Sequence, residues 1–187
     1  MAKMRLPTLC FKDFFEILTS ELISVTGGLL AGTMLAFATN QIELVPGLLI
    51  LLPGFLEMRG NISGTLSARL GSGLWIGVLK PQLRRSRILR GNVIADIFLA
   101  LIVSLMLGLV AYFASAWVFG IDNPALIYIS LIAGVLSNII EIPATVLTTF
   151  WLFRHGHDPD NIMGPYVTTI GDIISIVALL AAIVIVM

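Results

Sequence analysis

Five predominantly apolar stretches, separated by short polar connections, occupy most of this sequence, and each is long enough to cross a hydrocarbon layer as a helix. Within lipid every backbone polar group must find a partner inside the protein, so spanning segments become helices or a closed barrel. Stretches of helical length predict an all-α polytopic membrane protein with five transmembrane helices and an N-terminal amphipathic helix. Composition agrees: 58% of the 187 residues are hydrophobic and 12% charged, with a mean hydropathy of +1.01, outside ordinary soluble usage. Membrane lipid is the expected surroundings. A formal net charge of zero gives no reason to expect nucleic acid as a partner. Cys10 is the only cysteine, so no internal disulfide is expected, and it reads as a small packing residue.

The opening segment, residues 1–21, carries Lys3, Arg5, Lys12, Asp13 and Glu16 among apolar residues. It lacks the apolar core and cleavage site of a signal peptide and reads as an amphipathic segment on the cytoplasmic membrane surface. Residues 22–187 read as a single five-span membrane domain. Its first span runs from Leu22 to about Thr39, with Gly27, Gly28 and Gly32 spaced for close helix approach, and Asn40, Gln41 and Glu43 form a turn. The second runs from near Pro46 towards Ile76, with a break or kink expected at Pro53 and Gly54. The others cover Val93 to Phe119, Ala125 to Phe153 with a kink at Pro143, and Ile162 to Met187.

Basic residues orient such a chain through their excess in short cytoplasmic loops. Of 11 Lys and Arg, three precede the first span, five lie between Lys80 and Arg90, and Arg154 follows the fourth span. The alternate loops have none. A multi-pass cell-membrane protein with a cytoplasmic N-terminus and an extracellular C-terminus follows. No internal repeat is evident, and an odd span count means that symmetry requires a second copy.

Charged residues inside spans are costly and persist where they face protein, water or an ion. The second span contains PGFLEMRGNISGTLSARLGS, with Glu57, Arg59, Asn61 and Arg69 among glycines. There Glu57, Asn61, Gly64 and Ala68 follow helical spacing, and Gly60, Gly64, Ser67 and Gly71 form an adjacent strip of small residues. Glu57 and Arg59 would face different ways on a regular helix, and Arg69 reads as a snorkelling residue. Asp96, just beyond Arg90, suits an interfacial ion pair or a helix N-terminal carboxylate. On the fourth span Gly134, Asn138, Glu141, Thr145 and Thr148 form a polar stripe that lines either a cavity or a helix interface. Thr168, Asp172 and Ser175 share one face of the last span. Asp172 is a candidate cation ligand; the alternative is a structural pair with Arg59 or Arg69.

Carboxylates, amides and hydroxyls suit hard cations. Magnesium, manganese and calcium all accept such ligands, and magnesium keeps several waters and needs only one or two carboxylates. Copper or zinc would bring cysteine, methionine or histidine. His155, His157 and Asp158 offer only a weak metal motif.

The second-span run resembles the signature of the solute-carrier-41 branch of MgtE-type magnesium transporters, through Arg59, Gly60, Asn61, Thr65, Leu66, Arg69 and Leu70. A second run, DPDNIMGPYVTTIGD, is similar to that family's motif before its last span, and the similarity covers roughly Glu21 to Met187. The resemblance implies a homodimer whose second and fifth helices line a central cation path. It also implies that Asp172 binds hydrated magnesium, with Asn61, Thr168 and Thr169 nearby. Together with the stripes above, the candidate metal site comprises Asp172, Asn61, Thr168, Thr169, Glu141, Glu57, Asn138, Gly60 and Gly64. MgtE proper differs in having Gly-Gly-Asn, a following glutamine and a large cytosolic sensor, so gating by that sensor does not carry over.

The expected function is therefore a divalent cation channel or transporter, chiefly for magnesium, and no enzyme. Two other classes compete with it. An intramembrane enzyme would use Glu141 or Asp172 as acid or base, but there is no HExxH motif, and TIGD stands where an intramembrane aspartyl protease has GxGD. A membrane assembly subunit would use the glycine faces for packing alone.

Overall fold

The computed structural model describes residues 6–83 and 86–187, all of whose long elements are helices. The basic residues Lys3, Arg5, Arg84 and Arg85, and the side chain of Cys10, lie outside the described part. Six helices follow in order: α1 (Leu6–Phe37), α2 (Thr39–Glu43), α3 (Leu48–Trp75), α4 (Arg87–Phe119), α5 (Ala125–Arg154) and α6 (Pro159–Val186).

Four of them contain segments long and apolar enough to cross a membrane: Phe11–Phe37 of α1, then α4, α5 and α6. The five-span expectation is met to that extent. Helix α3 has comparable length, 28 residues, but its charges and glycines dilute its apolar character. Two local expectations are corrected. Pro53 does not divide the second span, because α3 continues through it from Leu48 to Trp75; proline's missing donor costs one hydrogen bond near the start of a helix that is packed on several sides. The expected turn at Asn40, Gln41 and Glu43 is instead the short helix α2.

Local chemistry sets the helix ends. Gly47 adopts the left-handed conformation, φ 87°, that starts α3, and Gly120 does so at φ 66° to end α4. Ser86 caps α4 by accepting from the Leu89 amide at 3.4 Å. Asp158 caps α6 by accepting from the Asp160 amide at 3.0 Å, with Pro159 in the first turn.

Helix α6 lies at the centre, packed on α1, α3 and α5, while α4 packs on α3 and α5. Small residues permit the closest approaches. A methyl at Gly108 would stand 2.9 Å from the Ile127 Cα, and one at Gly134 would run into Ser104. Gly27 meets Thr169 of α6, but a methyl at Gly28 or Gly32 would come within 4 Å of no other part of the described structure. Three apolar clusters form among the described residues, and the two larger fill most of the bundle. One joins Leu48, Leu51 and Phe55 to Leu126, Ile129 and Ala182; the other joins Leu66, Leu70 and Leu74 to Ile142, Val146 and Phe150. Between them, along α3 and α5, sits a polar layer of Arg59, Ser63 and Glu141.

Candidate cation groove between α3 and α6

A groove of about 670 Å³ runs between α3 and α6, lined on one side by Glu57, Gly60, Asn61, Gly64, Thr65 and Ala68 and on the other by Gly164, Val167, Thr168 and Asp172. Helical periodicity produces both walls. On α3 the lining residues recur at steps of three and four, and on α6 Gly164, Thr168 and Asp172 are four apart. Methyl groups at Gly60 and Gly64 would make only ordinary contacts, 3.6 Å to the Thr168 Oγ1 and 3.8 Å to the Val167 Cγ2. These glycines keep the groove wide more than they let the helices touch. Gly71, further along α3, is different: a methyl there would stand 2.9 Å from the Asp160 Oδ1.

Oxygen atoms dominate the groove's polar content. Asn61 donates its side-chain amide to the Glu57 Oε1 at 3.1 Å, which leaves the Asn61 carbonyl oxygen unengaged. Thr65 donates to the Asn61 backbone carbonyl at 2.7 Å, and Thr168 to that of Gly164 at 3.1 Å. Asp172 is half-buried, and among the described residues no lysine or arginine lies within 4.0 Å of it. Its conceivable partners are engaged elsewhere.

Arg59 is one of them. Fully buried, it meets Glu141 through two hydrogen bonds, Nη2 to Oε2 at 2.7 Å and Nε to Oε1 at 3.3 Å. Ser63 adds a third, donating to the Glu141 Oε2 at 2.9 Å. Arg69 is the other: its Nη2 lies 3.7 Å from the Oδ1 of fully buried Asp96. Asp96 therefore sits against α3 inside the bundle, in an ion pair as expected, with Arg69 as its partner.

The groove thus brings together Asp172, Asn61, Thr168, Glu57, Gly60 and Gly64. It does not include Glu141, Thr169 or Asn138. Glu141 is enclosed by Arg59 and Ser63, and Thr169 donates to the Ser24 Oγ of α1 at 2.7 Å. Asn138 borders a separate, mainly apolar groove between α4 and α5 with Val93, Ile97 and Leu101. The polar stripe of α5 is accordingly a set of helix contacts: Gly134 faces Ser104, and Thr148 donates to the Tyr166 hydroxyl at 3.1 Å. Ser175, expected beside Asp172, is buried within the bundle.

His155 and His157 do not converge. His155 Nδ1 lies 2.8 Å from the Trp151 carbonyl, and His157 Nδ1 lies 2.9 Å from the Glu16 Oε1. Among the described residues no group of three His, Cys, Asp or Glu side chains comes together. Sequence spacing missed Gly164 as a lining residue, although its four-residue step to Thr168 could have shown it. The Arg59–Glu141 pairing left no such trace, because its partners are 82 positions apart.

A family model described as a divalent cation transporter, MgtE, matches residues 52–182, which include both walls of the groove. Among curated proteins, solute carrier family 41 member 3 of Rattus norvegicus is 30% identical over 175 residues, covering 89% of this chain and 37% of that protein. Solute carrier family 41 member 2 of Homo sapiens is 26% identical over 175 residues, covering 88% of this chain and 30% of that protein. The chain spans about a third of the length of the curated relatives it matches.

Proposed function

The chain belongs to the MgtE family of divalent cation transporters, and from that premise we propose that the groove between α3 and α6 is one wall of a path for hydrated magnesium, with Asp172 as the principal ligand. The observation that carries this reading is a half-buried carboxylate with no lysine or arginine within 4.0 Å among the described residues, facing a groove whose polar groups are carboxylate, amide and hydroxyl. Magnesium surrenders its waters reluctantly. The Asn61 carbonyl, the Thr168 hydroxyl and the Glu57 carboxylate would then meet the ion through water, while Gly60 and Gly64 leave it room. Manganese and calcium share the ligand chemistry and differ in size.

A second copy follows from exposure. Glu57, Asn61, Thr65 and Thr168 all face outward from a single chain, and polar side chains of this kind do not face hydrocarbon without cost. Two chains related by a two-fold axis, with their grooves opposed, would enclose water and bring two Asp172 carboxylates to one path. In that assembly α3 is shielded from lipid, so it crosses the membrane as a fifth span despite its charges.

Helix α1, at 32 residues, is about 48 Å long, longer than a hydrocarbon core of about 30 Å. Its charged early turns, with Lys12, Asp13 and Glu16, would stand outside as the surface segment, leaving residues 17–37, about 31 Å of helix, to cross at the start of the transport unit. The basic 76–86 connection then faces the cytoplasm with the N-terminus, and α6 ends outside.

Residues outside the groove support it indirectly. Glu141 fixes α3 against α5 through Arg59, and Thr169 fixes α6 against α1. An intramembrane enzyme fits poorly, since Arg59 and Ser63 already occupy the oxygens with which Glu141 would work as acid or base.

The test is magnesium flux into liposomes containing the purified chain. Asp172→Ala, incorporated to the same level, is expected to abolish most of it; unchanged flux would overturn the assignment.

A further inference from the structure

Two arginine–carboxylate pairs brace α3, and they differ in kind. Arg59 and Glu141 are closed by two hydrogen bonds. Arg69 and Asp96 approach only to 3.7 Å, too far for a hydrogen bond. The Arg69 Nε donates instead to the Thr65 carbonyl of its own helix at 3.2 Å. Asp96 is fully buried, and neither of its oxygens receives a hydrogen bond from a described residue. Buried polar atoms without partners are rare enough to require a reason.

Helix α4 packs on α3 and α5 alone, and the charged groups acting on Asp96 from those helices are Arg69, Arg59 and Glu141. The last two are committed to each other. Burial disfavours the charged form of a carboxylate, and a facing arginine favours it, so the state of Asp96 turns on where Arg69 sits. Arg69 has open space around it: its side chain is 39% exposed. It also lies one helical turn beyond Thr65 and next to Ala68, both of which line the groove, while its guanidinium reaches Asp96.

We propose that Asp96 is a proton-binding site that opposes cation occupancy of the groove. With Asp96 ionised, Arg69 is held against it and away from the groove. A proton delivered by hydronium converts the carboxylate to the acid and leaves water, and Arg69, no longer held, turns its positive charge towards the groove. Linkage is reciprocal, so a cation in the groove disfavours the proton to the same degree. The proton site stands on the geometry of Asp96 alone, whereas its opposition to the cation rests on the function proposed above.

Infrared difference spectroscopy of the full chain in lipid, recorded against pH, tests the site without transport. A protonated-carboxyl component from Asp96 is expected to grow as pH falls, to be subtracted from the spectrum in Asp96→Asn, and to move to higher pH in Arg69→Gln. A pH-dependent spectrum unchanged in Asp96→Asn, or one with no component moved in Arg69→Gln, overturns the proposal; the second variant keeps the test decisive should Asp96→Asn fold poorly. Manganese binding followed by electron paramagnetic resonance tests the opposition. Acidification is expected to weaken binding roughly tenfold more in the wild type than in Arg69→Gln, where only the groove carboxylates respond. Superimposable profiles overturn the opposition. A wild type that binds no manganese at any pH overturns the groove reading itself and leaves the infrared result to stand.

Discussion

Arg59 and Glu141 lie 82 positions apart in sequence and meet at 2.7 Å, in a layer of the bundle from which solvent is excluded. Removing one member of such a pair strands the other charge. Glu141→Ala is expected to destabilise the bundle by about 3–5 kcal/mol, whereas the joint replacement Arg59→Met with Glu141→Leu should cost much less. Thermal unfolding in detergent compares the two, and equal losses would show that the pair is not the cause.

The groove should tolerate small changes in packing but not in width. A methyl at Gly64 meets only ordinary contacts, so Gly64→Ala should leave the melting temperature unchanged. Gly64→Leu fills the space beside Asn61 and is expected to cut magnesium flux at least roughly tenfold, equivalent to about 1.4 kcal/mol. Flux equal to wild type in the leucine variant would place the path elsewhere.

Gly71 makes the opposite prediction. A methyl there stands 2.9 Å from the Asp160 Oδ1, so Gly71→Ala should cost about 1 kcal/mol. Adding Asp160→Ala should recover most of that loss. A double-mutant cycle of melting temperatures measures the coupling, and strict additivity would contradict the contact.

Thiol cross-linking addresses the assembly. In a Cys10→Ser background the chain has no other cysteine, so Asn61→Cys should form a covalent dimer in membranes on mild oxidation, because residue 61 faces outward from the groove. A uniformly monomeric product would remove the opposed-groove arrangement.

The early turns of α1 are held by polar contacts to the loop before α6 and to the first turn of α6. Lys12 donates to the Gly156 carbonyl at 2.8 Å, and the Asn161 amide donates to Asp13 and Glu16, each at 3.2 Å. Exposed contacts of this type are weak. Asn161→Ala should therefore leave global stability within about 1 kcal/mol while raising protease cleavage near residue 13, and an unchanged digestion rate would argue against the tether.

Much of this was legible in the sequence because membrane helices announce themselves by length and apolarity. Helices α5 and α6 begin and end within three residues of where the apolar runs and their Gly, Pro and Asp punctuation placed them, and α4 ends at Phe119 as expected but starts six residues earlier, at Arg87, because its polar first turns are capped by Ser86. Helix α3 was legible as a segment but not as an unbroken helix, since the effect of Pro53 depends on what packs around it. Within the site, the four-residue steps put Asn61 with Glu57, and Thr168 with Asp172, because neighbours on one helix face are fixed by periodicity alone. Contacts between helices carry no such signal. Glu141 and Asn138 share a stripe with Thr145 yet meet different partners, Arg59 in one case and the α4 groove in the other. Thr168 and Thr169 are adjacent, but one faces the groove and the other faces Ser24.

Helix α6 touches every other long helix except α4, and it is the helix that carries Asp172. A carboxylate mounted there cannot tilt or slide without dragging α1, α3 and α5 along, so it behaves as a stationary post. On the proposed path, ions would adjust their water shells to it. That is the condition under which an oxygen site distinguishes cations by how readily they shed or reshape hydration, with the protein's own rearrangement contributing little.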